Sequence, residues 1–176
     1  MAGRPGFEKR QNIFLAVVFS AFLAVVLYTA SVPIGVGDHA CGGALYDYES
    51  GEALFPAEVT LSGKRSYSAN PSLRSLEGRL SVTVDGRVWY DGQFSARHRE
   101  DRDGWTHFTY LNLVSTGGVL SSYWDDGLLC RRDYGDLAFP LLGGDGRWYL
   151  LAAAEKGGAD RVFSEAKDAL GQAGPW

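Results

Sequence analysis

The ten residues from His98 to His107, HREDRDGWTH, gather the side chains best suited to chemistry. They include two of the chain's three histidines, three acids and two arginines. Imidazole nitrogens and carboxylate oxygens are common zinc ligands, and zinc with one open position activates water for hydrolysis. A hairpin pairing 88–98 with 107–114 sets His98 opposite His107, Phe94 opposite Leu111 and Ala96 opposite Thr109. Directly opposed Cβ atoms lie about 5 Å apart, so the two rings could share a metal. Asp101 or Asp103, reaching back from the loop, supplies a third ligand.

Several features weigh against this. The His-x8-His spacing matches no established metal motif, and DRDG is a calcium-loop fragment without the glutamate that completes it. Arg97, Arg99 and Arg102 balance Glu100, Asp101 and Asp103. Exposed pairs of this kind contribute about 0–1 kcal/mol and need no function. The stretch reads first as a hairpin tip and second as a metal rim. No catalytic, cofactor or metal-ligating residue is assigned from it.

Other catalytic motifs are missing from the sequence. It contains no GxSxG, P-loop or GxGxxG pattern. Gly143-Gly144-Asp145-Gly146 lies between two strand patterns, whereas a phosphate cradle needs a following helix. Asp47, Glu49 and Glu52 cluster with Tyr46 and Tyr48 in what reads as a solvated acidic linker. The couples Trp89-Tyr90, Tyr123-Trp124 and Trp148-Tyr149 should each send one ring to either face of a strand. An outward aromatic row, flanked by Asp91, Asp125 and Asp126, could stack on a sugar or a partner.

The positioning elements begin with an apolar run, residues 13–34, that contains no charge and follows Arg4, Lys9 and Arg10. As a helix it would measure about 33 Å, enough for a hydrocarbon core of roughly 30 Å. Basic residues before it place the N-terminus in the cytoplasm. A signal peptide cleaved after Ser31 is the competing reading. A lipoprotein site at Cys41 is not favoured, because Asp38-His39-Ala40 does not fit one. Each reading exports residues 38–176.

In that oxidising space Cys41 and Cys130 are expected to form one disulfide. It would close a loop of about 90 residues, for which chain entropy suggests roughly 4–5 kcal/mol. From Asp38 onward 14 basic residues face 20 acidic ones. That balance argues against nucleic acid and against polybasic adhesion to lipid.

The exported part alternates apolar and polar residues over short runs, with turn signals every 8 to 12 residues. Asp85-Gly86 is a type I′ hairpin pair, and Asp91-Gly92 reads as a kink or bulge. Thr116-Gly117-Gly118 and Asp125-Asp126-Gly127 end strands. From Ala159 to Leu170 the period becomes helical, with Asp160 as cap and Gly171 at the C-terminal stop.

The fold class is therefore mainly β. An N-terminal transmembrane helix leads into an antiparallel β-sandwich or small barrel of about seven or eight strands, closed by a short amphipathic helix. The expected divisions are a cytoplasmic segment 1–12, a signal anchor 13–34, a linker and irregular strand 35–56, a β domain 57–156, and a helix and tail 157–176. The function read from this is non-catalytic binding or assembly in a cell envelope. The membrane is the partner of 13–34, an envelope protein or glycan is the partner of the β domain, and no cofactor is expected. The alternatives are an extracytoplasmic metal-dependent hydrolase using His98 and His107, or a barrel for a small apolar ligand.

Overall fold

A computed structural model describes residues 5–115, 121–124 and 127–171. Helix α1 (Pro5–Thr29) is followed by strands β1 (Ser31–Asp47) and β2 (Ala53–Ser68), a 3-10 turn (Pro71–Leu73), β3 (Ser75–Val84) and β4 (Arg87–Arg102). Then come β5 (Trp105–Ser115), β6 (Ser121–Trp124), β7 (Leu128–Arg131), β8 (Asp136–Leu142), β9 (Trp148–Ala154) and helix α2 (Ala159–Leu170). The strand order is β4-β3-β2-β1-β9-β8-β7-β5, and β4 also pairs with β5. These eight strands form a closed antiparallel barrel, and β6 extends β5 outside the ring. Closure decides between the sandwich and the barrel, because β4 and β5 pair with each other and complete the ring.

Alternation fills the interior. Val59, Leu61, Leu80, Val82, Phe108, Leu137, Phe139 and Leu151 all point inward and are essentially inaccessible. Eight strands give a lumen just wide enough for side chains to fill. The opposite parity of β1, β8 and β9 faces outward. There Tyr46, Ala138, Leu150, Ala152 and Ala154 receive Val162, Ala166 and Leu170 of α2. Three small strand residues let the helix lie close to the sheet. Its boundaries match the expected helix, and Gly171 ends it at a φ of 84°. Asp160 does not cap it, since Gly158 stands at that position; Asp160 instead accepts a 2.7 Å hydrogen bond from the Tyr46 hydroxyl.

The hairpin signals behave as their chemistry requires. Asp85 and Gly86 have φ of 51° and 70°, the double positive φ of a type I′ turn. Asp91-Gly92 is not where β4 bulges; the irregularity lies between Val82↔Tyr90 and Thr83↔Val88, at Trp89. The turn expected at Thr116–Gly118 and the pair Asp125-Asp126 lie outside the described residues.

The N-terminal boundaries differ from expectation. The helix ends at Thr29, and Ser31–Ile34 belong to β1, with Val32 opposite Tyr67 and Pro33 opposite Ser66. Pro33 is tolerated because β9 begins to pair with β1 only at Gly42, so this part of the strand has a free edge. Residues 13–29, whose side chains are all exposed, extend about 25 Å. Among the described residues no helix is long and apolar enough to cross a membrane.

The expected linker is also a strand, since β1 runs unbroken to Asp47. One of its glycines, Gly43, is required by close approach. A Cβ on Gly43 would lie 1.9 Å from the Ala152 carbonyl oxygen of β9.

The expected disulfide does not form: Cys41 and Cys130 are both free, buried thiols. Both face the barrel interior, but β9 and β8 lie between their strands. Three strand spacings of about 4.8 Å exceed the roughly 7 Å that a disulfide spans between Cα atoms. The Cys41 thiol is directed instead at the Gly135 carbonyl, 3.7 Å away.

Candidate functional site

The β4–β5 hairpin turns at Asp103-Gly104, whose φ values of 50° and 78° make a second type I′ turn. Arg102 therefore faces Trp105, and Glu100 faces His107. Between His98 and Glu100 the register shifts by one residue, which sets His98 opposite Phe108. Opposed residues share a face and successive residues alternate. His98 thus joins Phe108 inside the barrel, their rings edge to face at 6.0 Å. His107 lies on the outer face, across from Leu129. The expected pairings His98 with His107, Phe94 with Leu111 and Ala96 with Thr109 do not occur; Phe94 faces Leu113, and Arg97 faces Thr109. The two imidazoles cannot share a metal. No group of three metal-type side chains converges among the described residues.

His98 belongs to a different constellation, built from three strands and a turn at one end of the barrel. Its Nε2 stands 3.2 Å from Asp101 Oδ2. Asp101 Oδ1 accepts a 2.7 Å hydrogen bond from the Thr106 hydroxyl. Arg65 of β2 reaches across the lumen, donating to Thr106 Oγ1 at 3.4 Å with Nη2 3.7 Å from Asp101 Oδ1. The guanidinium lies 4.7 Å from the Tyr67 ring centre and 5.4 Å from that of Phe108. Tyr134, in the β7–β8 turn, completes the group from below.

The electrostatics follow from burial and neighbours. The Arg65 side chain is only 6% exposed. Burial opposes its charge, while Tyr134, Tyr67 and Cys130 around it, in their ionised forms, together raise its pKa above the ordinary value. Burial pushes the Asp101 carboxyl up; the Thr106 hydroxyl, His98 and Arg65 outweigh it and hold it below the usual range. Burial drives the Tyr134 hydroxyl up to about 12 and the Cys130 thiol beneath it also to about 12.

Two features set this group apart from a structural ion pair. Arg65 Nε is buried with no hydrogen-bond acceptor among the described residues. A buried donor left so costs about 1–3 kcal/mol. Tyr134 has a φ of 59°, a left-handed conformation that a bulky side chain adopts only under constraint from its surroundings. The turn is closed by Tyr134 N–H donating to the Arg131 carbonyl at 2.9 Å, which aims the ring inward. The mouth above the group is a cleft of about 400 Å³ lined by Arg65, Tyr67, Asp101, Arg102, Thr106 and Arg132, among others. Three guanidinium groups face two carboxylates there, a balance that favours an anion.

Sequence reasoning missed Arg65 and Tyr134. Arg65 had a legible signal: it has the same parity as Val59 and Leu61, so it occupies an inward position of β2. Tyr134 had none, because a turn tyrosine normally faces solvent.

The remaining candidates fall elsewhere. Asp47, Glu49 and Glu52 lie at the barrel end opposite α1, lining a cleft of about 410 Å³ with Arg147 and Tyr149. Among the described residues, Trp105 and Trp89 do not share an outward aromatic row. Trp105 is buried under the Arg131 guanidinium at 4.5 Å, whereas Trp89 is exposed far along β4. The side chains of Tyr123 and Trp124 lie outside the described residues. Gly143–Gly146 is the β8–β9 hairpin loop.

No family model, curated protein or solved structure matches this chain. The class that can be stated is structural: a closed eight-stranded antiparallel barrel with an arginine-bearing mouth.

Proposed function

We propose that the protein is a membrane-tethered, non-catalytic binding domain whose barrel mouth receives a small anionic group, a phosphate or a carboxylate. The observation that carries this is Arg65. It is a guanidinium held almost out of solvent at the floor of an open cleft, with one N–H direction uncommitted. A guanidinium presents planar paired donors to such an oxyanion.

The tether is α1. Its exposed apolar surface has no counterpart in the barrel core, and the apolar helical stretch from Ile13 to Thr29 measures about 25 Å. A bilayer accommodates a span a few ångströms short by thinning locally. Arg4, Lys9 and Arg10 before it favour a cytoplasmic N-terminus, with residues 38–176 on the other side.

The other readings have less support. A hydrolase built on His98 and His107 needs them on one face. An apolar-ligand barrel needs an open lumen, and this one is packed with leucine, valine and phenylalanine.

Two measurements test the reading. Full-length protein should stay with membranes after alkaline carbonate washing. In mild detergent, inorganic phosphate at about ten times its Kd should raise the melting temperature by roughly 2–5 °C in wild type and not in Arg65→Gln. Release by carbonate defeats the tether; equal response of both proteins defeats the anion site.

A further inference from the structure

The cleft and the helix lie at the same end of the barrel. Antiparallel pairing brings Ser31, two residues after α1's end, opposite Ser68 at the end of β2, and the Ser68 hydroxyl donates to the Tyr28 carbonyl at 3.3 Å. Arg65 faces Ile34 three pairs further on. The β2–β3 connection, the β4–β5 turn and the β7–β8 turn all emerge at that end.

The end has a composition of its own. Val32, Ile34, Tyr67 and Leu73 expose 58%, 52%, 39% and 40% of their surfaces there. Arg65, Arg74, Arg97, Arg99, Arg102 and Arg132 stand at that end against Glu100, Asp101, Asp103 and Asp133, on a β domain that is acidic as a whole. The opposite end carries Asp47, Glu49, Glu52, Asp85 and Asp145 against Arg87 and Arg147. Apolar side chains interleaved with arginine, next to an apolar helix, match the headgroup layer of a bilayer. Apolar groups and arginine stems enter the acyl boundary, and guanidinium groups meet phosphate.

We infer that this arginine-bearing end rests on the bilayer that holds α1, and that the cleft over Arg65 takes the phosphate of an anionic phospholipid from the adjacent leaflet. The inference rests on the tether and anion readings above and names their ligand. Helix and mouth share one end, so α1 delivers the cleft to the headgroups without a long linker. Each arginine near an anionic surface adds about 1 kcal/mol of attraction, roughly fivefold in affinity. Arg65 differs from the peripheral arginines because it is buried and fixed by Thr106 and Asp101.

The test uses full-length protein in nanodiscs of phosphatidylcholine alone or with 30% phosphatidylglycerol, read by amide hydrogen exchange at residues 63–68 and 98–106. Exchange there is expected to slow at least tenfold with phosphatidylglycerol, while strands at the far end are unchanged. The slowing should shrink at least fivefold in Arg65→Gln, and by a smaller factor in the exposed Arg132→Gln, which does not touch the core. Equal exchange in both lipids overturns the inference and leaves the tether standing. The same slowing in pure phosphatidylcholine on adding 10 mM inorganic phosphate also overturns it, because the site then takes free anion. Failure of the chain to enter nanodiscs overturns the tether and the inference together.

Discussion

His98 and His107 lie on opposite faces of the β4–β5 hairpin: His98 opposes Phe108 and points into the barrel, while His107 opposes Glu100 and points out. The cause is a single inserted residue. The Asp103-Gly104 turn alone would extend the Arg102↔Trp105 register and place His98 outside with His107. The bulge between His98 and Glu100 reverses that face, because the side-chain period of a strand is two. Zinc is therefore expected to leave the melting temperature of the protein unchanged. A stoichiometric rise, lost in both His98→Ala and His107→Ala, would contradict the geometry.

Phe108 closes the barrel beneath Arg65 and contacts His98 edge-on. It has no exposed surface. Phe108→Ala should destabilise the domain by about 3–5 kcal/mol through lost burial and the cavity left behind. Urea unfolding measures this directly; a loss under about 1 kcal/mol would mean that the site collapses freely.

Gly43 and Gly42 make a controlled pair. Gly43→Ala drives a Cβ into the Ala152 carbonyl, whereas a Cβ on Gly42 meets nothing within 4 Å. The first substitution should cost about 3 kcal/mol or more, since backbone must move; the second should stay within about 0.5 kcal/mol. Equal effects would show that β1 and β9 do not pair as described.

The thiols should be silent in the native state. Burial is the main reason that the Cys41 thiol is pushed up to about 11 and the Cys130 thiol to about 12. At pH 8 neither is nucleophilic, so a thiol reagent should label about two sulfurs per chain only after denaturation. Reductant should not shift the melting temperature. Because the folded values are raised, their contribution to stability is complete below the ordinary pKa of 9.0 and declines as pH rises toward 11 and 12.

Helix α2 is tied down by charge as well as packing. Glu165 pairs with Arg131 at 2.5 Å and with Arg161 at 3.1 Å, and Arg161 also grips Asp136 at 2.9 Å. The Arg131 hydrogen bond is the main cause holding the Glu165 carboxyl below its usual value. A lowered carboxylate pKa stabilises above the unfolded value and is lost as pH falls through the folded one. Amide exchange in α2 should therefore quicken below about pH 4.5, before the barrel strands respond. Glu165→Gln should remove much of that pH dependence; an unchanged profile would place the titration elsewhere.

The local features could be read from the order of the amino acids. Type I′ turns at Asp85-Gly86, strand periodicity, and the helix from Ala159 to Leu170 with its stop at Gly171 depend on neighbouring residues and were legible there. So was the polar character of His98–His107. The non-local features came from the way the strands pair. Closure of β4 on β5 selected a barrel, and the need of β1 to approach β9 turned a glycine-rich linker into a central strand. Two intervening strands separated the cysteines. One bulge moved His98 from the expected rim into a group with Arg65, Thr106 and Tyr134. Face and partner depend on register and closure, which are set by contacts between residues far apart in the chain, and no short window of sequence contains both sides of such a contact.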